Sequence, residues 1–267
     1  MTGTREFIAG DGCRIAYRFD GDPGRPVLLL SNSIATSHRM WDGQIAELSA
    51  AFRVLRYDMR GHGGSDAPVG AYSLDRLGRD VLELLDALGV ARFAVVGVSQ
   101  GGFIALRMAL LAPERISALA VMGTSAAEED PNIAATYRQL AVNWVDEGPI
   151  DPIVDMVAAI CLGSLPADDW KAKWRARPLD TVEQLIGVLV ERDSVLARVG
   201  DIDCPALVLH GSADLAYPLE RARELADALP KAAPLVVVDG GAHFLSLTNA
   251  AEVNAQLKPF LLANALD

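Results

Sequence analysis

Apolar and polar residues follow two rhythms along this chain, and the rhythm switches from segment to segment. Residues 14–19 alternate with the two-residue period of a half-buried strand. Residues 27–30 form a short, wholly apolar run, the mark of a strand buried on both faces. Further strands are predicted over 53–57, 93–98, 116–122, 206–209 and 235–238. Between them the three-to-four-residue period predicts helices over 74–88, stopped by Gly89, and over 102–111, closed by Pro113. Two more follow at 219–229 and 251–262. Strands and helices in alternation imply a mostly parallel sheet with helices on both faces.

The pattern breaks once. From 126 to 198 there is helical periodicity but no strand, with Pro131, Pro149, Pro152, Pro166 and Pro178 as breakers. A helical insertion between two strands is most simply a cap over the sheet's C-terminal edge, where such folds bind ligands. The expected organisation is a core from residues 1–125 and 199–267 with a helical cap from 126–198. No internal repeat or low-complexity tract interrupts it.

Composition changes this picture little. The chain has 267 residues, 22% charged and 51% hydrophobic, ordinary values for one large globular domain. Its net charge of −11 argues against a nucleic-acid or anionic-membrane partner. Cys13, Cys161 and Cys204 are odd in number without CxxC spacing, and read as buried small apolar residues. The start of the chain lacks the basic-then-apolar pattern of a signal peptide, and no apolar run is long enough to span a bilayer. A cytoplasmic protein is expected.

The chemistry enters at Gly97-Val98-Ser99-Gln100-Gly101, where a predicted strand gives way to a helix. GxSxG is a weak signal alone, but this context is the one it needs. A nucleophile on a sharp strand-to-helix turn requires small neighbours, and the turn leaves the Gln100 N–H at a helix N-terminus, aimed at a developing oxyanion. A serine nucleophile needs a base, and histidine suits neutral pH. Of four histidines, His38 opens the first helix, His62 lies in the turn after the fourth strand, and His210 ends a strand as a packed or hydrogen-bonded residue. His243, in the glycine-rich loop after the last strand, alone has both a suitable serine and a loop acid before it. Asp214, following a strand at the catalytic edge, is favoured as the orienting acid; Asp239 is the alternative, unless it stabilises its own Gly-Gly turn. No cluster has metal-ligand spacing and no glycine loop matches a phosphate cradle, so no cofactor or metal is expected.

With these residues placed, the chain resembles the α/β-hydrolase superfamily over nearly its whole length, and its first half resembles the 3-oxoadipate enol-lactonases. LLLSNSIATSHRMWDGQ, FRVLRYDMRGHGGSDAP, YSLDRLGRDVLELLDALGV and the nucleophile turn carry the likeness. The resemblance implies an α/β-hydrolase fold: a mostly parallel eight-stranded sheet flanked by helices, with the helical cap after the sixth strand. Most relatives have His-Gly after the third strand, where this chain has Ser31-Asn32-Ser33, a form characteristic of the enol-lactonase branch. By that alignment the Ser33 N–H is the second oxyanion donor beside Gln100.

The likeness thins after Gly123. Glu128-Glu129-Asp130 replaces an apolar, Trp-containing stretch; it either repels a substrate carboxylate near the mouth or forms a solvated helix N-terminus. The insertion is rich in Tyr137, Trp144 and aliphatic residues, which suits an apolar acyl or aromatic group. Ile34, Tyr137, Trp144 and Phe244 are the candidate substrate contacts. Arg175 and Arg177, with Lys171 and Lys173, are the cap cations available to a carboxylate.

The expected activity is hydrolysis of a small-molecule lactone or carboxylic ester through an acyl-enzyme on Ser99. N-acyl homoserine lactones, other hydrophobic lactones or esters and 3-oxoadipate enol-lactone are the candidate substrates. Carbon–carbon bond hydrolases and cofactor-free perhydrolases keep the same triad, so they stay open; a non-enzymatic ligand receptor on this fold is the remaining alternative.

Overall fold

A computed structural model describes residues 3–265. The strands are β1 (Arg5–Ile8), β2 (Arg14–Asp20), β3 (Val27–Ser31), β4 (Arg53–Tyr57), β5 (Phe93–Val98), β6 (Ile116–Met122), β7 (Ala206–Gly211) and β8 (Val236–Val238). They form one sheet in the order β1-β2-β4-β3-β5-β6-β7-β8. β1 and β2 pair antiparallel and β2 joins β4 antiparallel; every later pairing is parallel. The eight-stranded sheet implied by the resemblance is present. β1, absent from the periodicity reading, is a four-residue edge strand with little burial to pattern it.

The central strands are apolar on both sides because helices cover both sides. Leu29 and Val95 face one core cluster, whereas Leu28, Leu30, Ala94 and Val96 face the other. α2 (Leu74–Ala87) and α3 (Gln100–Leu111) pack on the first face. α1 (Asp42–Leu48) and the C-terminal helix pack on the second. The Ser73 hydroxyl caps α2 by accepting from the Arg76 N–H, and Gly89 ends it at φ +67°, where a side chain would be strained.

Between β6 and β7 lie α4 (Pro131–Asp146), α5 (Asp151–Leu162), α6 (Asp168–Arg175) and α7 (Val182–Val190). Two of the predicted breakers start helices: Pro131 and Pro152 occupy first-turn positions, where the missing N–H costs nothing. Asp130 caps α4 by accepting from the Asn132 and Ile133 N–H groups. After β7 come α8 (Leu219–Ala228), a short α9 (Leu245–Thr248) and α10 (Ala250–Asn264). Among the described residues no helix is long and apolar enough to cross a membrane.

Candidate active site

Ser99 sits between the end of β5 and the first turn of α3 with φ 51° and ψ −117°, a conformation rarely adopted by a residue with a side chain. Its neighbours make that turn possible. A Cβ on Gly97 would collide with the Gly101 backbone, and one on Gly101 would collide with the Ser31 carbonyl on β3. The strained turn therefore requires both glycines, for steric reasons rather than flexibility. Thr124, just past β6, donates its hydroxyl to the Ser99 carbonyl at 3.0 Å.

Ser99, His243 and Asp214 come from three strand ends and meet in one chain of hydrogen bonds. His243 Nε2 lies 2.8 Å from Ser99 Oγ, and its Nδ1 lies 2.9 Å from Asp214 Oδ2. Since a carboxylate only accepts, Nδ1 carries the proton and Nε2 is free to accept from the serine hydroxyl. Asp214 Oδ1 accepts in turn from the Ala216 and Tyr217 N–H groups at 2.8 and 3.1 Å. Burial alone would raise the Asp214 carboxyl, but the His243 ring, its hydrogen bond and the Tyr217 N–H bring it below the usual aspartate value. Ser99 and His243 are 2% and 4% exposed, so the relay is shielded from bulk water.

The alternative acid lies elsewhere. Asp239 is exposed and accepts from the Ser212 hydroxyl at 3.2 Å in its own turn. His210 bonds the Tyr217 carbonyl at 3.0 Å, and His38 pairs with buried Asp58 at 3.0 Å. Among the described residues no group of three or more His, Cys, Asp or Glu side chains could hold a metal ion.

The expected second oxyanion donor is the Ser33 N–H. The Ser33 N–H donates to Met40 Sδ at 3.2 Å and is already committed. Ile34, the next residue, lines the cavity beside Ser99, and its N–H has no partner among the described residues. The Gln100 N–H, at the start of α3, likewise has no partner among the described residues.

The cavity over Ser99 measures about 130 Å³. Tyr137, Trp144, Ile34 and Phe244 all line it, together with Trp174 and leucines of α4 and α7. Cys161 lines it as well, so one of the three cysteines borders the site instead of being simple core; all three are free thiols. The four cap cations separate. Arg175 pairs with Asp151, Lys171 with Asp155, and Lys173 lies 4.5 Å over the Trp170 ring. Arg177 instead enters the cavity wall. It donates to the Gly61 carbonyl at 2.7 Å, has no carboxylate partner among the described residues, and burial lowers its pKa from the usual arginine value.

The acidic cluster opens a helix, as one of the two expectations had it, but not all of it is solvated. Glu128 is exposed and Asp130 caps α4, but Glu129 is buried, accepting from Arg192 and from the Tyr217 hydroxyl at 2.9 Å each. Its charge is compensated inside the protein and does not line the cavity. Nothing in a run of three acids distinguishes the one that folds inward; the partner lies 63 residues away.

Known proteins share this architecture. The family described as alpha/beta hydrolase fold matches residues 26–250. The enol-lactonase from Burkholderia xenovorans LB400 superposes with a TM-score of 0.85 at 31% identity, covering 97% of this chain and 100% of that one. 3-Oxoadipate enol-lactonase 2 of Acinetobacter baylyi is 38% identical over 122 residues, which span 46% of each chain and so less than half of that enzyme. A Caulobacter segnis protein named "Putative carbamate hydrolase RutD" is 31% identical over 92% of this chain and 96% of its own. On the family match and these relatives, the chain belongs to the alpha/beta hydrolase fold family and is a hydrolase.

Proposed function

We propose that the protein cleaves a small lactone or short carboxylic ester through an acyl-enzyme on Ser99. The observation that carries this reading is the relay from Ser99 through His243 to Asp214, with both histidine nitrogens in hydrogen-bond contact. Ser99 Oγ attacks the carbonyl carbon as His243 Nε2 takes its proton; the tetrahedral intermediate then expels the leaving oxygen, which receives that proton. Water repeats the sequence on the acyl-enzyme and releases the acid. The N–H groups of Gln100 and Ile34, rather than Ser33, hold the oxyanion, and Asp214 steadies the imidazolium.

Residues 126–198 act as the cap, and Tyr137 and Trp144 from it form the acyl wall with Ile34 and Phe244. Size supports a short substrate. A dry cavity of ~150 Å³ holds one benzene ring, so about 130 Å³ suits one small ring or a short chain better than a long acyl tail. The enol-lactonase relatives support a lactone.

One observation favours a second, narrower reading. Arg177 is a guanidinium with no carboxylate partner among the described residues, in a mostly apolar wall, placed to pair with a substrate carboxylate such as that of 3-oxoadipate enol-lactone.

The test is hydrolysis by wild type and Ser99→Ala of a short aryl ester, 3-oxoadipate enol-lactone and a long-chain N-acyl homoserine lactone. Turnover of the ester or enol-lactone, abolished in Ser99→Ala, is expected. Activity surviving in Ser99→Ala overturns the acyl-enzyme. Turnover of none of the three shifts the assignment to carbon–carbon hydrolysis, perhydrolysis or ligand reception on the same fold.

A further inference from the structure

Three successive backbone N–H groups, on Ser33, Ile34 and Ala35, follow β3 beside the cavity that Ile34 and Ala35 line, and they are treated differently. The first, on Ser33, donates to Met40 Sδ, and the third, on Ala35, donates to His62 Nε2 at 3.1 Å. The middle one, on Ile34, has no partner among the described residues. The peptide unit that carries it is pinned at its other end, because the Ser33 carbonyl accepts from the Thr36 hydroxyl at 2.7 Å. Ala35 itself holds φ +59°, a left-handed conformation that a residue with a Cβ keeps only when its surroundings enforce it.

Two side chains supply that enforcement, one at the Ala35 N–H and one at its carbonyl. His62 lies in the turn after β4 and is 2% exposed. Its Nδ1 is 3.0 Å from the Arg60 carbonyl, which only accepts, so Nδ1 carries the ring proton and Nε2 presents a lone pair to Ala35. From the insertion, Trp174 Nε1 donates to the Ala35 carbonyl at 2.9 Å. Arg177, three residues further on, ties the same turn down at the Gly61 carbonyl. Both backbone groups of Ala35 are thus held by side chains that belong to neither β3 nor its loop.

We propose that His62 is a positioning residue: through the Ala35 N–H it holds the Ile34 N–H at the oxyanion position, with Trp174 as the opposing clamp. This rests on the reading of Ser99 as nucleophile and the Ile34 N–H as donor. Burial, and secondarily the Arg177 charge, push His62 down to about 3, so the ring keeps its accepting lone pair throughout the neutral range.

The test pairs His62→Phe, which keeps an aromatic ring without an acceptor, with His62→Gln, which restores an acceptor oxygen near the Nε2 position. Each is assayed on a short aryl ester and with an aryl boronic acid, which forms a tetrahedral adduct on a serine nucleophile. Losing one oxyanion donor outright costs ~100-fold to 1000-fold in kcat. A displaced donor in His62→Phe should cost ~10- to 100-fold in kcat with KM within about threefold. Boronate affinity should fall by the same factor as kcat, and His62→Gln should recover most of both. Wild-type kcat in His62→Phe, a fall in kcat with boronate affinity unchanged, or Gln no better than Phe would each overturn the proposal. Should the His62 variants not fold, Trp174→Phe, which removes the donor to the Ala35 carbonyl, decides: kcat and boronate affinity fall together, or the proposal is wrong. Ser99→Ala is run in parallel. Activity surviving there sinks the nucleophile reading itself, whereas a dead Ser99→Ala beside an unimpaired His62→Phe sinks only the positioning role.

Discussion

Arg192 and Glu129 form an ion pair 2.9 Å long whose side chains are 1% and 4% exposed. The same guanidinium donates to the Ala127 and Leu189 carbonyls and lies 4.4 Å over the Phe103 ring on α3. Glu129 in turn accepts from the Tyr217 hydroxyl in the loop that carries Asp214. One buried pair therefore ties both ends of the inserted helices to the core beside Asp214. Removing one partner of such a pair strands the other charge, at a cost of ~3–5 kcal/mol. Glu129→Ala is expected to lose that much in urea unfolding, and Glu129→Gln less, because it keeps an acceptor for Tyr217. A loss under about 1 kcal/mol in Glu129→Ala would show that the pair does not anchor the insertion.

The two candidate acids give opposite expectations. Asp214→Asn removes the carboxylate that fixes the His243 tautomer, and in the serine-triad precedent such a change lowers kcat by ~10⁴. Asp239→Asn alters an exposed turn 3.2 Å from Ser212 and should leave kcat within about twofold. Steady-state kinetics on one ester decides between them; equal damage from both would remove Asp214 from its assigned role.

Arg177→Leu separates the two substrate readings. A charge-assisted hydrogen bond is worth ~1.5–3 kcal/mol, or about 10- to 150-fold. If Arg177 pairs with a substrate carboxylate, kcat/KM for 3-oxoadipate enol-lactone falls by that factor while a neutral short ester is affected far less. Parallel losses on both substrates would mean that Arg177 serves the Gly61 loop alone.

Acid sensitivity of the fold should trace to His62. Unfolded, its ring titrates near 6.5; folded, burial and Arg177 hold it at about 3. Between those values the unfolded chain binds the extra proton, so stability is complete above the unfolded pKa and drains away as pH falls toward the folded one. The expected slope from this ring is ~1.4 kcal/mol per pH unit. Asp58 and Asp214, both held below the usual aspartate value, add losses of the same sign only in stronger acid. Urea unfolding at about pH 7, 6 and 5 should show a slope that flattens by one proton in His62→Gln. An unchanged slope would place the acid sensitivity elsewhere.

Much of this architecture can be read from short-range pattern. The wholly apolar runs at β3, β5 and β6 announce strands covered on both sides, and Gly89 and Pro131 mark helix ends by backbone sterics alone. β1 is not legible in the periodicity, because a short, exposed edge strand has no buried face to pattern it. Ser99, His243 and Asp214 could be nominated because chemistry restricts a base to histidine and fold order restricts the acid. Alignment nominates Ser33, but it has no view of which N–H a methionine sulfur has already taken.

The sequence by itself thus determined the alternation of strands and helices, the strained serine turn with its two necessary glycines, and the residue types able to move a proton. Those follow from neighbours a few positions apart. Tertiary structure alone decided that, among the described residues, Ile34 rather than Ser33 keeps a free N–H, that Arg177 and not Arg175 enters the cavity, and that Glu129 turns inward. The reason is physical: each depends on which distant group satisfies a buried donor or charge. His62 reaches Ala35 across 27 positions and Trp174 reaches it across 139, and packing, not local propensity, brings such pairs together.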